Sequence, residues 1–355
     1  MAYEPINDAP LSTQRHVAER EAAAQANAPR EGIAAVPPIA LPRVLRKEGV
    51  AAVDGVLSRA TASALLMHVN QRLAEAMARL IVDDENLLGA VLCREGRFDL
   101  KLDYARDAAV TAGLDEAVRS LGPPLSSLLG GGAELFELGA LVSDRGAPRQ
   151  PLHPDTPWSR RLRVVSTMVA LQDVAIDMGP TIYLPRTHDE EARSRLWGVD
   201  PADDDEICEL LEDSPCLMPL PRTGDAVLFD ARTIHCGGAN ASRTRRVLFY
   251  FSFRTRRGGG LTWRGGGFEQ PGTLLDSLRG KLRLAPDGSR LVATAASSSK
   301  SSNLCACRQV VGLVASPEAC FAAAGTAAFL ALAALAHLFI WPRFAAALSL
   351  GKIVL

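Results

Sequence analysis

His153 and Asp155, separated by one proline, and His235 roughly eighty positions later, supply two imidazoles and a carboxylate. That donor set holds a non-haem Fe(II) on one face and leaves the other face open to ligands. The chain of 355 residues has six histidines, and two of them fall in this pattern. A lone His-x-Asp occurs by chance, and an isolated histidine is more often a hydrogen-bonded surface or core residue than a ligand. The surroundings of each half therefore decide. Alternate side chains of an extended segment share a face, so His153 and Asp155 can point at one ion from one strand. The third ligand must come from a distant strand. His235 follows the turn Gly224-Asp225 and the apolar run 226–229, so it sits on or beside the next strand. Together the three residues read as a metal site.

A second element lies close by. Arg243, Arg245 and Arg246 precede an apolar and aromatic run over 247–253. Alternation places Arg245, Val247, Phe249, Phe251 and Phe253 on one face. Arg246, Leu248, Tyr250, Ser252 and Arg254 take the other. The first face is expected to pack on a covering layer, and the second to line a cavity. A guanidinium there could grip a carboxylate with two parallel hydrogen bonds. At least one of the three arginines is expected to be a solvated strand end.

The elements that must position these groups come from a period of two beginning near residue 134. Strands are expected over 135–142, 152–156, 163–174, 181–184, 216–220, 226–229, 233–236 and 245–254, divided by Gly, Pro and Asp turns. Before them lie a short strand and turn at 50–57 and a helix over 58–81. Ser58 is its N-cap, and Leu65, Leu66, Val69, Leu73 and Met77 form its apolar face. A second helix is expected over 105–121. The expected class is mainly β with flanking helices, a sandwich or jelly roll. The polar, acidic insertion 188–215 reads equally as a substrate loop and as a solvated excursion. The glycine runs 258–260 and 265–267 lack the lysine and strand-to-helix context of a phosphate loop.

Residues 1–45 are rich in Ala, Pro and charge and read as a flexible leader. Residues 46–275 form the main domain, and 276–318 an extension and linker, Ser/Ala-rich over 288–303. Residues 319–341 are apolar and long enough to span a bilayer. They read equally as a tail anchor and as a buried Ala-rich helix, and the balanced flanking charges fix no orientation. No secretory signal is evident at the start. The net charge of −1 argues against a nucleic-acid partner. Seven cysteines without a CxxC pair suggest a reducing compartment. The expected location is cytoplasmic, tail-anchored if 319–341 spans a membrane. Oligomeric state is not legible.

The segments 150–157, 171–188 and 224–240, followed by Arg246, carry a resemblance to the phytanoyl-CoA dioxygenase family of Fe(II)/2-oxoglutarate-dependent oxygenases. The resemblance covers roughly 46–275 and implies a double-stranded β-helix, the jelly roll of cupin-like proteins. It implies that His153, Asp155 and His235 bind Fe(II), with 2-oxoglutarate and O2 as co-substrates. Arg246, eleven residues past His235, would hold the distal carboxylate of 2-oxoglutarate, with Arg245 as the fallback. His188 falls in a family turn and is no metal ligand, while Thr181 and Gln172 are weaker cavity candidates. Related iron halogenases lack the carboxylate, so Asp155 implies oxygenation. The implied reaction hydroxylates a small-molecule or lipid-like substrate and releases succinate and CO2. Two alternatives stand beside it: a non-catalytic binding protein that keeps the fold, and a cupin-like metalloenzyme that does not use 2-oxoglutarate.

Overall fold

Nine consecutive residues, Arg246–Arg254, form the strand around which the molecule is arranged. The computed structural model describes residues 30–31, 33–79, 87–156, 160–189, 216–256 and 273–294. In chain order these form β1 (Arg30–Glu31), α1 (Leu41–Glu48), β2 (Val50–Val53), α2 (Arg59–Arg79), β3 (Arg97–Lys101), α3 (Ala108–Leu129), β4 (Glu134–Ser143) and β5 (Val164–Ala170). There follow β6 (Thr181–Tyr183), β7 (Cys216–Leu217), β8 (Ala226–Asp230), β9 (His235–Gly237), β10 (Arg246–Arg254), β11 (Leu282–Leu284) and β12 (Leu291–Ala293).

The larger sheet runs β12-β11-β4-β10-β5-β8-β2, with β3 also paired to β4. All of its pairings are antiparallel. The smaller sheet runs β1-β7-β6-β9. The two face each other, and Tyr183 of the smaller packs with Val50, Val227 and Phe229 of the larger. This is the expected jelly roll with flanking helices.

The alternation read along β10 holds. Val247, Phe249, Phe251 and Phe253 are 0% exposed and join the core formed with α2 and α3. Burying each phenylalanine contributes about 1.5–3 kcal/mol. On the opposite face Leu248 and Tyr250 are buried too, and Leu248 and Arg246 line a small cavity. In α2 the buried stripe is Ala62, Leu65, Val69, Leu73 and Ala76. Met77 of the expected stripe is exposed, because the buried face falls one residue earlier. Ser58 caps α2 as expected, its hydroxyl accepting from the Thr61 N–H at 3.2 Å.

Several boundaries move. Leu41 and Leu45 of α1 are in the core, and Val36 donates to Ala52 at 2.9 Å, so packing begins before residue 46. α3 runs to Leu129 through Pro123 and Pro124, because Leu121, Leu125 and Leu129 continue its buried face. The strand expected at 152–156 is a single bridge between His153 and His235. β11 and β12 extend the larger sheet to residue 293, into the stretch expected as extension and linker. Most of the insertion 188–215, the glycine runs and the apolar stretch 319–341 lie outside the described residues. Among the described residues no helix is long and apolar enough to cross a membrane.

Gly49 ends α1 in the left-handed conformation, with φ of 77°. Its carbonyl accepts from the Asp230 N–H at 2.9 Å and the Thr233 hydroxyl at 3.0 Å, which fixes the turn that leads to His235. A Cβ there would lie 2.5 Å from His188 Nδ1 and 2.6 Å from Thr233 Oγ1. Gly49→Ala is therefore expected to cost about 2–4 kcal/mol, left-handed strain plus overpacking. The denaturant midpoint measures it, and an unchanged midpoint would show that the turn adapts freely.

Candidate metal centre

The backbone brings the two histidines together. His153 and His235 exchange both N–H···O bonds at 3.0 Å, so they stand directly opposite on neighbouring segments. Their rings are 4.7 Å apart between centroids. Asp155, two residues along from His153, turns to the same side. One ligand atom from each of the three lies within 4.8 Å of the others.

The ring orientations select the nitrogens. His153 Nδ1 lies 2.8 Å from the Pro151 carbonyl, and His235 Nδ1 lies 3.0 Å from the Thr233 carbonyl. A carbonyl only accepts, so each Nδ1 carries the proton and each Nε2 presents a lone pair. Those Nε2 atoms lie 3.9 Å and 3.5 Å from Asp155 Oδ1. Burial lowers both imidazole pKa values to about 4, and His153 is lowered further by the neighbouring ring. Both rings are therefore neutral at neutral pH, the form that ligates a metal. Burial raises the Asp155 pKa, opposed by His153. Tyr183, paired with His235 in the sheet, stacks on its ring at 5.8 Å, and Phe229 contacts the same ring at 4.6 Å. These aromatic walls desolvate His235, while the Asp155 side chain keeps 31% exposure.

Arg246 and Arg245 point opposite ways, as alternation requires. Arg246 is 0% exposed, and its guanidinium donates to the Gly179 carbonyl and to Ser143 Oγ, the latter at 3.2 Å. Among the described residues its buried Nε has no hydrogen-bond partner. Burial, then the field of Arg97, lowers its pKa to about 10. It shares an interior cavity with Thr181, Tyr183, Met168 and Leu248. Arg245 instead forms a bidentate pair with Asp144 and donates to Asn70 Oδ1 at 2.9 Å, beside a groove on the helix side. Gln172 bonds the backbone of Arg245 and Val247 and lines that groove, whereas Thr181 faces the interior cavity. His188 is structural: its Nε2 lies 3.1 Å from the Arg46 carbonyl, and it packs on Gly49.

Sequence reasoning missed Arg97. It is 1% exposed on β3 and donates to Pro148 O at 2.8 Å, Gly238 O at 3.1 Å and Ser143 Oγ at 3.3 Å. Its field reaches both His153 and Arg246. Among the described residues neither Arg97 nor Arg246 has a carboxylate partner. Two buried cations without a counter-ion cost several kcal/mol unless an anion joins them. This charge, the partnerless Arg246 Nε and the three convergent ligand atoms fit a metal with an anionic co-substrate.

Residues 45–247 match the model of the family described as phytanoyl-CoA dioxygenase. The chain belongs to that family. Membership brings Fe(II) and 2-oxoglutarate as cofactor and co-substrate, and the donor set and the buried arginines suit both. Solved structures with a similar fold include SnoN, a non-heme alpha ketoglutarate dependent epimerase from nogalamycin biosynthesis. It is 20% identical with a TM-score of 0.45, over 67% of this chain and 95% of SnoN. SnoK, a carbocyclase from the same biosynthesis, is 16% identical with a TM-score of 0.48, over 62% and 87%. AviO1 from Streptomyces viridochromogenes Tue57 is 18% identical with a TM-score of 0.45, over 62% and 96%. No curated protein is significantly similar to the chain.

Proposed function

We propose that this family member is a hydroxylase, converting a small-molecule C–H, 2-oxoglutarate and O2 into C–OH, succinate and CO2. The supporting observation is the three convergent ligand atoms together with a buried, partly unsatisfied Arg246, linked through Tyr183, which lines a cavity with Arg246 and stacks on His235. In this reading His153 Nε2, His235 Nε2 and an Asp155 oxygen hold Fe(II). Arg246 holds the distal carboxylate of 2-oxoglutarate, whose negative charge offsets that of the two buried guanidiniums. The pairing of Arg245 with Asp144 on the other face favours Arg246 over Arg245 for this role. When bound, the iron supplies the redox chemistry that joins O2 to 2-oxoglutarate. The chain supplies neutral imidazoles, a carboxylate that keeps its place at the metal, and aromatic walls from Tyr183 and Phe229 that exclude water.

The carbocyclase and epimerase names of similar folds mark the outcomes that a test must separate. Purified protein with Fe(II) and 2-oxoglutarate is expected to release succinate, faster with its substrate present. Mass analysis of the product under ¹⁸O2 then decides. One added ¹⁸O atom is the expected result. An unchanged formula would point to epimerisation, and loss of two hydrogens to ring closure; either would overturn hydroxylation. No succinate release at all would favour a binding protein that keeps the fold.

A further inference from the structure

The inner face of the larger sheet has two ends of opposite charge. Arg246 and Ser252 are six residues apart on β10, about 20 Å at strand spacing. Arg246, with Arg97, marks one end. At the other, Ser252 pairs with Glu137 on β4 and with Ser166 on β5. The Glu137 side chain accepts from Ser252 Oγ, which also lies 3.1 Å from Ser166 Oγ. Asp99 of β3 joins this end, accepting from Tyr250 Oη at 2.6 Å and from Thr273 Oγ1 at 2.5 Å. Gly139 makes that contact sterically feasible, since a Cβ there would lie 2.8 Å from the Tyr250 ring.

This end is level with the metal centre: Glu137, Ser252, Ser166 and Phe229 are paired in one row across β4, β10, β5 and β8, and the Phe229 ring lies 4.6 Å from that of His235. The charges acting on Glu137 are those of Asp155, the central metal-ligand carboxylate, and of Asp99. Glu137, Leu141 and Met168 on this inner face keep accessible surface although their outward-facing neighbours Leu138, Val142 and Val169 are 0% exposed. Of the three carboxylates, Asp155 serves the metal, and both oxygens of Asp99 are engaged. Glu137 accepts from Ser252 and from the Thr273 backbone, and a carboxylate has about four acceptor sites in all.

We propose that Glu137 determines specificity at the oxidation site, and that the substrate presents a protonated amine to it. This rests on the metal-centre reading above. An anionic group at this end would meet Glu137 and Asp99, and of these two carboxylates only Asp99 feels a cation, Lys101. A neutral hydroxyl could hydrogen-bond but would leave their charge unbalanced. A cationic nitrogen both hydrogen-bonds and neutralises, the stronger of these interactions in a desolvated wall. In keeping with this, burial and then the Asp155 field raise the Glu137 pKa to about 7, and a bound cation would reverse that shift.

The test uses three probes of one shape: benzylamine, benzyl alcohol and benzoate. Each is titrated calorimetrically, without O2, into protein loaded with Fe(II) and 2-oxoglutarate. Benzylamine is expected to bind about tenfold or more tightly than benzyl alcohol, and benzoate not to bind. Glu137→Gln, which preserves shape, is expected to remove the preference for the amine. Equal affinity for amine and alcohol, no binding of the amine, or a preference that survives Glu137→Gln would overturn the proposal. The wild-type comparison stands even if the variant fails to fold. Prior titration of Fe(II) and 2-oxoglutarate reports separately on the metal centre. If they do not bind, that reading falls, and the amine preference is measured on the metal-free protein.

Discussion

Asp155→Ala is expected to abolish stoichiometric Fe(II) binding, and 2-oxoglutarate turnover with it. The reason is the donor set: two neutral imidazoles bring no charge, so Asp155 is the one anionic ligand of the three. Loss of groups that merely orient a ligand weakens metal binding by about 10–100-fold, so loss of the anionic ligand itself should exceed about 100-fold. The free protein should respond in the opposite sense. Burial disfavours the ionised carboxylate of Asp155, opposed by His153, and with 31% of the side chain exposed its removal leaves no closed cavity. Thermal unfolding of metal-free Asp155→Ala should therefore occur no lower than in the wild type. Dead but undiminished in stability is the signature of a ligand. Wild-type iron affinity in the variant would remove Asp155 from the site, and a large fall in unfolding temperature would instead mark it as a structural residue. His235→Ala should also lose iron. It should destabilise as well, because the ring packs between Tyr183 and Phe229 and its loss leaves a cavity of aromatic size.

The three candidate ligands were legible because chemistry and periodicity coincide there: an alternating His-x-Asp, and a histidine set after an apolar strand. The two faces of β10 were legible for the same reason, since its outward residues are apolar without exception. β3 was not. Its sequence, Arg-Phe-Asp-Leu-Lys, has the alternation of a surface strand, but Arg97 and Asp99 are buried as well as Leu100. A sequence cannot distinguish charge facing solvent from charge facing a ligand. The segment around His153 misleads in the other direction. It is extended enough to place His153 and Asp155 on one side, yet its pairing ends at one bridge. The prolines 151, 154 and 157 lack the N–H groups that a longer ladder would need. Ahead of the expected start at residue 46, Leu41 and Leu45 are buried, though they stand in a stretch full of proline and alanine. Their burial depends on partners far along the chain.

Arg246→Leu is expected to raise the Kd for 2-oxoglutarate by about 100-fold or more while leaving Fe(II) affinity unchanged. Removing one partner of a buried, hydrogen-bonded charge pair costs about 2–5 kcal/mol, and each 1.4 kcal/mol is about tenfold. None of the three metal ligands lies on β10, so the iron site should keep its geometry. In the absence of co-substrate the variant should be no less stable than the wild type, since it loses a buried charge without a carboxylate partner. The difference then appears on adding 2-oxoglutarate. Wild-type protein gains stability as the ligand binds the folded state, and Arg246→Leu should gain almost none at the same concentration. Arg246→Lys should recover only part of the affinity, because an ammonium lacks the planar fork. Arg245→Ala provides the contrast. It breaks a partly exposed pair with Asp144, which costs about 1 kcal/mol or less of stability, and should leave the 2-oxoglutarate affinity intact. If the two variants exchanged these phenotypes, the co-substrate would lie on the helix side of β10, and the interior cavity would need another occupant.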